Sequence, residues 1–244
     1  MASRQPVASD FPAPGNTSII PPPPGQSPVN VLLLLHGLGD STISFTNLAK
    51  QLSLPETTCI TIQAPHPLPF DLGGFHWGDD ILFDPSQGSM DHDTGFQKSS
   101  RLLREDIIEQ TLFQKCGYKA RNILFFGYGQ GAMAAMAAAL GLNFELGGIV
   151  SIGGPVPSSH WSSQDAIEKS PTPVIVLGGS SATSITQSAL ALLKKSFVTV
   201  EYMKWPRPGD AMPTNRDEML PIMKFFARRL QSRAGVPEGS VEVG

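Results

Sequence analysis

One short segment of this chain has the spacing of a nucleophilic turn but lacks the nucleophile. The segment Gly127–Gly131 lies between an apolar strand pattern, Asn122–Phe126, and a helix pattern of small residues, Ala132–Leu140. In this setting a Gly-x-Ser-x-Gly turn lifts a serine hydroxyl above a sheet, where it can attack an acyl carbon. The serine position is Gly129, which has no side chain with which to form an acyl-enzyme. The turn therefore predicts a site for acyl chemistry without its serine.

The same turn opens a helix and offers backbone N–H groups. A Gly-x-Gly-x-Gly turn presents several amides together with the positive end of the helix dipole, a combination that binds anions. A tight crossing from strand to helix needs the same glycines, so both interpretations stay open. The turn does not match a dinucleotide fingerprint, because it does not follow the first strand and the next strand runs into Gly153-Gly154 rather than an acidic residue.

Titratable side chains gather in two further segments, 75–80 and 91–93. They contain His76 and His92 and four aspartates. One hypothesis is that His76 or His92, held by one of these aspartates, acts as a general base for acyl chemistry. A variant of this hypothesis is a metal site built from the same residues. The simpler interpretation is that the aspartates cap turns and the following helix, and that the histidines are surface or loop-packing groups. We predict no metal site.

The elements that must position these residues alternate strand with helix. Strand patterns occupy Val29–Leu35, Thr58–Gln63, Asn122–Phe126, Leu146–Ile152, Val174–Leu177 and Val198–Met203. Helix patterns occupy Ser44–Leu52, Gly95–Lys115, Ala132–Leu140, Ser184–Lys195 and Arg216–Leu230. The segment Ala64–Asp93 is rich in Pro, Gly and Asp and predicts a loop. This alternation predicts an α/β fold with a mostly parallel central sheet and helices on both faces.

Composition sets the domain count and excludes several classes of partner. A chain of 244 residues with 41% hydrophobic and 16% charged residues suits a single large domain, which we place at residues 29–230. Its formal net charge of −3 argues against binding nucleic acid or an anionic membrane through bulk charge. The apolar runs are shorter than the roughly 20 residues of a membrane span. We expect two buried free cysteines and a cytoplasmic location.

Both ends of the chain are predicted to be tails outside the folded domain. Residues 1–28 hold eight of the 22 prolines, and a segment of this composition predicts a disordered or polyproline II-like tail. Residues 231–244 are polar and contain Gly and Pro, which predicts a flexible C-terminal tail.

Several motifs together resemble one known family. His36-Gly37-Leu38-Gly39-Asp40 ends the first buried strand, the Gly127–Gly131 turn follows, and Gly153-Gly154-Pro155 comes after the strand Leu146–Ile152. This order resembles the acyl-protein thioesterase/carboxylesterase family of small α/β-hydrolases, over about Val29 to Leu230. The resemblance implies an α/β-hydrolase fold and a Ser-Asp-His triad that hydrolyses esters or thioesters.

The triad positions that the resemblance implies hold other residues here. The serine position is Gly129. The aspartate position falls in 178–182, which reads Gly-Gly-Ser-Ser-Ala, and is taken by Ser181. The histidine position falls in 204–212, where Asp210 stands and no histidine is present. The resemblance also places an oxyanion hole at the backbone amides of Leu38 and Gln130, and implies that Trp77 lines the acyl pocket.

These residues leave two hypotheses about function. The first is a non-catalytic member of the family that binds a small acyl, ester or anionic ligand, or a protein partner, without a cofactor. The second is an active ester or thioester hydrolase with an unconventional nucleophile or base. Deleting the nucleophile of a serine hydrolase lowers the turnover rate roughly 10⁶-fold. The oxyanion hole and substrate binding alone then accelerate hydrolysis by only about 10³–10⁴-fold over the reaction in water. We therefore favour the non-catalytic hypothesis.

Overall fold

The computed structural model describes residues 3–13, 16–70, 72–84, 89–161 and 168–235. The strands of the main sheet are β1 Thr17–Ile20, β2 Asn30–Leu35, β3 Thr57–Ile62, β8 Ile123–Tyr128, β9 Gly148–Ile152, β10 Val174–Gly178 and β11 Val200–Lys204. Four short strands lie between β3 and β8: β4 His66–Pro67, β5 Phe75–His76, β6 Phe83–Asp84 and β7 Ser89–Met90. The helices are α1 Thr42–Leu52, α2 Gln97–Arg101, α3 Gln130–Leu140, α4 Gln187–Ser196 and α5 Arg216–Arg229.

The main sheet of the described chain has seven strands in the order β1-β3-β2-β8-β9-β10-β11. All neighbours pair in parallel except β1, which runs antiparallel to β3. Helices α1 and α5 pack on one face, and α2, α3 and α4 pack on the other. This confirms the predicted α/β-hydrolase architecture with a mostly parallel sheet covered on both sides.

The central strands explain why both faces must be covered. In β2, Leu33 and Leu35 belong to the apolar cluster with α3, whereas Leu32 and Leu34 belong to the cluster with α1 and α5. A strand that is apolar on both faces is stable only between two layers of helices. The carboxyl ends of β2 and β8 lie side by side, since Leu35 pairs with Gly127. Ligands of open α/β sheets bind at this edge, and both predicted glycine-rich motifs meet there.

The N-terminal segment corrects one expectation. A disordered tail was expected over residues 1–28, yet Thr17–Ile20 forms the edge strand β1 against β3. Further upstream, the Arg4 guanidinium pairs with Asp10 at 2.6 Å, and the Arg4 N–H donates to the carbonyl of Cys116. The prolines fall outside β1, so the composition of the segment concealed a short strand of four residues without proline.

Three other regions differ in detail from the sequence patterns. The loop predicted over 64–93 contains two small antiparallel sheets, β4 with β5 and β6 with β7. The helix predicted over Gly95–Lys115 begins at Gln97 and is wound as a π-helix over Leu102–Lys115. Of the predicted C-terminal tail, Gln231 exchanges two hydrogen bonds with the side chain of Asn30, and residues 236–244 lie outside the described ranges. Within those ranges, no helix is long and apolar enough to cross a membrane.

Candidate functional site

The predicted nucleophilic turn has the backbone of an elbow. Gly129 lies between β8 and α3 with φ 50° and ψ −118°, and its N–H donates to the carbonyl of Ile152 at 2.8 Å. A positive φ of this size favours glycine over residues with a side chain. A Cβ built on Gly129 would meet no atom within 4 Å. The turn therefore projects into open space, although it carries no group that reacts.

The resemblance assigns an oxyanion hole to the backbone amides of Leu38, in the loop after β2, and Gln130, the first residue of α3, and we call these two amides the amide cradle. Neither N–H donates a hydrogen bond to another described residue. Helix α3 begins directly against the end of β2, because a Cβ on Gly131 would lie 2.4 Å from the carbonyl oxygens of Leu35 and His36. Only glycine permits that approach. Unpaired amides at a helix N-terminus attract negative charge, so the amide cradle suits an anion or a polarised carbonyl oxygen.

Trp77 links the two halves of the amide cradle. Its indole N–H donates to the His36 carbonyl at 2.8 Å, and its backbone N–H donates to the Gln130 side-chain oxygen at 2.8 Å. The side chain is fully buried. From the core, Trp77 connects the loop after β2 to the start of α3, and the expectation that it lines an acyl pocket stays a prediction. The role was not visible in the sequence, because both contacts span more than 40 residues.

His36 is a structural histidine. Its Nε2 accepts a hydrogen bond from the Ala64 N–H at 3.0 Å, which leaves Nδ1 to donate to the Gly37 carbonyl at 2.8 Å. Burial lowers the pKa of this imidazole because a charged ring loses its hydration. With both nitrogens engaged by the backbone, His36 holds the loop that carries the Leu38 amide and has no free nitrogen for proton transfer.

The structure keeps the candidate base His76 away from solvent. His76 pairs with His66 across β4 and β5, and the ring centroids are 5.2 Å apart. Burial, together with the neighbouring imidazole of His66, lowers the pKa of His76. Its Nδ1 is buried and has no hydrogen-bond partner among the described residues. His76 is therefore a neutral, loop-packing group, as the simpler interpretation of this segment expects.

The aspartates near the histidines bind backbone amides. Asp79 accepts hydrogen bonds from the N–H groups of Gln97 and Lys98 at the start of α2. Asp93 accepts from the Ser158 N–H, and Asp91 accepts from the Asp93 N–H at 2.9 Å. These contacts cap turns and a helix, as the simpler interpretation predicts.

The second candidate base, His92, lies on the surface. Its side chain is exposed, and its carbonyl accepts a long hydrogen bond from the side-chain Nε2 of Gln130 at 3.3 Å. No described imidazole hydrogen-bonds a hydroxyl group. Among the described residues, no group of three or more His, Cys, Asp or Glu could hold a metal ion.

The positions that the resemblance assigns to the lost aspartate and histidine lie on two adjoining loops, residues 178–184 and 204–212, which we call the paired loops. The Gly209 N–H donates to the Ser181 carbonyl at 2.8 Å. The Asp210 carboxylate accepts from the N–H groups of Gly179 and Ser184, at 2.9 and 2.7 Å. The Thr183 hydroxyl donates to it as well, at 2.6 Å. Asp210 thus joins the two loops through its side chain, a contact that the sequence did not indicate.

The paired loops adjoin the elbow. A Cβ on Gly153 would lie 2.5 Å from Cβ of Asp210, and a Cβ on Gly154 would lie 2.6 Å from the Gly129 carbonyl oxygen. The Tyr128 hydroxyl donates to the Asp210 carbonyl at 2.9 Å. The structure therefore brings Gly129 and Asp210 to one corner of the sheet edge.

An ion pair fixes the second of the paired loops to α5. The Arg207 guanidinium lies 2.8 Å from the buried carboxylate of Glu218, which also accepts from the N–H and the hydroxyl of Thr214. Arg207 and these hydrogen bonds lower the pKa of Glu218 to about 2. The carboxylate therefore stays charged at neutral pH and holds residues 207–218 in place, independently of any reaction.

Comparison with known proteins places this geometry among related chains. A family model described as phospholipase/carboxylesterase matches residues 16–225. An uncharacterized hydrolase of Schizosaccharomyces pombe is 32% identical over 208 residues, which cover 82% of this chain and 83% of the relative. Acyl-protein thioesterase 1 of Saccharomyces cerevisiae is 28% identical over 224 residues, which cover 82% of this chain and 93% of the relative.

Solved structures are similar over most of the chain. The crystal structure of Arabidopsis thaliana SOBER1 has a TM-score of 0.64 and 25% identity, and the match covers 83% of this chain and 99% of that one. Zea mays acyl-protein thioesterase 2 has a TM-score of 0.60 and 20% identity, with 88% and 99% covered. The second likeness shows the fold alone.

Proposed function

We propose that this chain, which belongs to the phospholipase/carboxylesterase family, is a non-catalytic member that binds a small acyl-derived anion at the amide cradle. The observation that carries this proposal is the pair of unengaged amides at Leu38 and Gln130 beside an elbow whose residue, Gly129, has no side chain. A carboxylate or an ester carbonyl would accept hydrogen bonds from both amides. Charge-assisted bonds of this kind are about twice as strong as neutral ones.

Two features support the absence of turnover. Hydrolysis needs a nucleophile within reach of a base, and the imidazoles of His36 and His76 are engaged or buried away from any hydroxyl. Asp210, at the position implied for the histidine, accepts three hydrogen bonds from the neighbouring loop. These contacts support a site whose backbone donors suit an anion and in which no described imidazole hydrogen-bonds a hydroxyl group.

A matched pair of substitutions at Gln130 tests the binding. Gln130→Pro removes the cradle N–H, and proline is well tolerated at the first position of a helix. The preceding Gly129 has no Cβ to clash with the proline ring. Gln130→Ala removes the same side chain but keeps the N–H. We expect butyrate, titrated by calorimetry or NMR, to bind about 10- to 100-fold more weakly to Gln130→Pro than to Gln130→Ala, which corresponds to one hydrogen bond to a charged group.

Neutral butyramide serves as the matched ligand and should bind more weakly than butyrate to the unmodified protein. Equal affinity of Gln130→Pro and Gln130→Ala for butyrate would overturn the proposal. A second assay addresses turnover with p-nitrophenyl butyrate, an acyl thioester and a fluorophosphonate probe. We expect no covalent labelling and no turnover near 1 s⁻¹, in the ordinary enzyme range. Turnover at that level that His76→Ala abolishes would establish the alternative, an active hydrolase with an unconventional base.

A further inference from the structure

A cleft lies between α1 and the segment that leads into α5, and Tyr128 is part of its lining. Its volume is about 310 Å³, room for roughly ten water molecules. Phe126 and Tyr128 of β8 form part of its lining, with Phe45 and Leu48 from α1 and Met212 and Met219 from the α5 side. Concave sites of this size with a mostly apolar lining are typical of small-molecule binding. None of these side chains belongs to the amide cradle.

Polar side chains also line the cleft, from α1 and from the loop before it. Ser44, Asn47 and Gln51 lie on α1, where a spacing of three or four residues places them along one side of the helix, and Asp40 lies two residues before its first residue. The Asn47 and Gln51 side chains are exposed and hydrogen-bond no other described residue. Asp40 uses Oδ1 to accept from the Ser41 N–H and the Ser44 hydroxyl, while Oδ2 accepts from none of the described residues.

The negative charge of the Asp40 carboxylate favours a cationic ligand in this cleft. Asp40 is the one charged side chain among the described residues that line the cleft, and they include no Lys, Arg or His. A carboxylate without a cation attracts a cationic head and repels an anionic one. Methionine side chains, here Met212 and Met219, adapt to apolar bodies of varied shape. The preferred ligand is therefore opposite in charge to that of the amide cradle.

We propose that this cleft is a second binding site, which takes a small amphiphile with an apolar body and an ammonium head. The apolar body contacts Phe45, Met212 and Met219, and the ammonium group lies against Asp40 Oδ2, with the Asn47 and Gln51 amides as further partners. This site does not depend on the anion at the amide cradle.

Three ligands of one chain length test the proposal on the full-length protein: n-octylammonium, octan-1-ol and octanoate. At pH 7 and low salt, titration followed by NMR should give the order ammonium, alcohol, carboxylate for affinity at the cleft. We expect the ammonium ligand to bind about fivefold more tightly than the alcohol, the size of a good exposed ion pair. Asp40→Asn should make these two affinities equal. Octanoate binding at the cleft equal to or tighter than that of octylammonium would overturn the proposal.

A second pair of variants assigns the location. Met219→Trp fills the cleft and should abolish binding of octylammonium, whereas Leu220→Trp, at the next and exposed position of α5, should leave it unchanged. Circular dichroism shows whether both variants fold. If Met219→Trp does not fold, Met212→Trp is used in its place to fill the cleft. Unchanged binding in a folded, filled variant would refute the site. Octanoate binding that persists in Met219→Trp but is lost in Gln130→Pro is assigned to the amide cradle. The proposal for the cradle and the proposal for the cleft can therefore fail independently of each other.

Discussion

The amide cradle and the paired loops lie at the same edge of the sheet, yet they differ in how their polar groups are used. In the cradle, the amides of Leu38 and Gln130 donate to no described residue. In the paired loops, the Asp210 carboxylate by itself accepts three hydrogen bonds, and the Gly209 N–H donates a further one to the Ser181 carbonyl. Backbone amides persist under any substitution except proline, whereas a side-chain position can be taken over by contacts that stabilise the fold. The comparison separates a region whose backbone donors have no described partner from a region whose polar groups hydrogen-bond one another.

The largest effect is expected from Trp77, which supports the cradle. Trp77→Ala should lower the free energy of unfolding by about 3–5 kcal/mol, the usual cost of deleting a large aromatic side chain from a core. Trp77→Phe keeps most of the volume but leaves the His36 carbonyl without its donor, which costs about 1–3 kcal/mol. Urea denaturation measures both, and butyrate affinity should fall in the Phe variant.

Trp205 provides the control for Trp77→Phe. It is also buried, but its indole N–H has no partner among the described residues. Trp205→Phe removes an unpaired buried donor and should change stability less than Trp77→Phe does, with butyrate binding unaffected. If the two substitutions cost the same, the link from Trp77 to the cradle is not the source of its effect.

A smaller effect is expected in the paired loops. Asp210→Ala leaves the Gly179 and Ser184 amides without their acceptor and should lower the free energy of unfolding by about 1–3 kcal/mol. Butyrate affinity should not change, because the cradle does not contact this carboxylate. Chemical denaturation and titration of the same sample check both statements. Asp217→Ala, at an exposed position in the first turn of α5, is the control, and an equal loss there would contradict a specific role for Asp210.

The smallest effect is expected at the elbow itself. Gly129→Ser fits the open space above the turn and costs on the order of 1 kcal/mol, because φ is positive there. It should not restore ester hydrolysis, since no described imidazole is available to activate the hydroxyl. Gly129→Ala carries the same backbone cost without the hydroxyl, so p-nitrophenyl butyrate hydrolysis by the two variants should be equal. Clear hydrolysis by the serine variant alone would show that a base lies within reach.

The sequence predicts the sheet well because its central strands are continuous apolar runs. Val29–Leu35 and Asn122–Phe126 are each bounded by turn residues, and the structure places strands at Asn30–Leu35 and Ile123–Tyr128. The two-residue strands between 66 and 90 are too short to show a period, so pattern analysis cannot detect them. Strand β1 is hidden by the prolines around it.

The site was predictable only where it depends on local motifs. The elbow at Gly129 follows from the turn and its flanking elements, because glycine spacing and strand-to-helix order are local properties of the chain. The buried position of Trp77 and the hydrogen bonds of Asp210 depend on partners 26 to 53 residues away. Such contacts require the folded chain, since no spacing rule connects them.

The antiparallel strand β1 has a consequence for how the protein behaves at high concentration. Strand β3 is buried along its whole length, and without Thr17–Ile20 one side of it would present a row of unpaired amides and carbonyls. Exposed strand edges are templates on which other chains add. With β1 in place, the outer edge is a strand of four residues rather than the six of β3, and short edge strands resist such addition. We therefore expect a truncated protein that begins at Val29 to self-associate more readily.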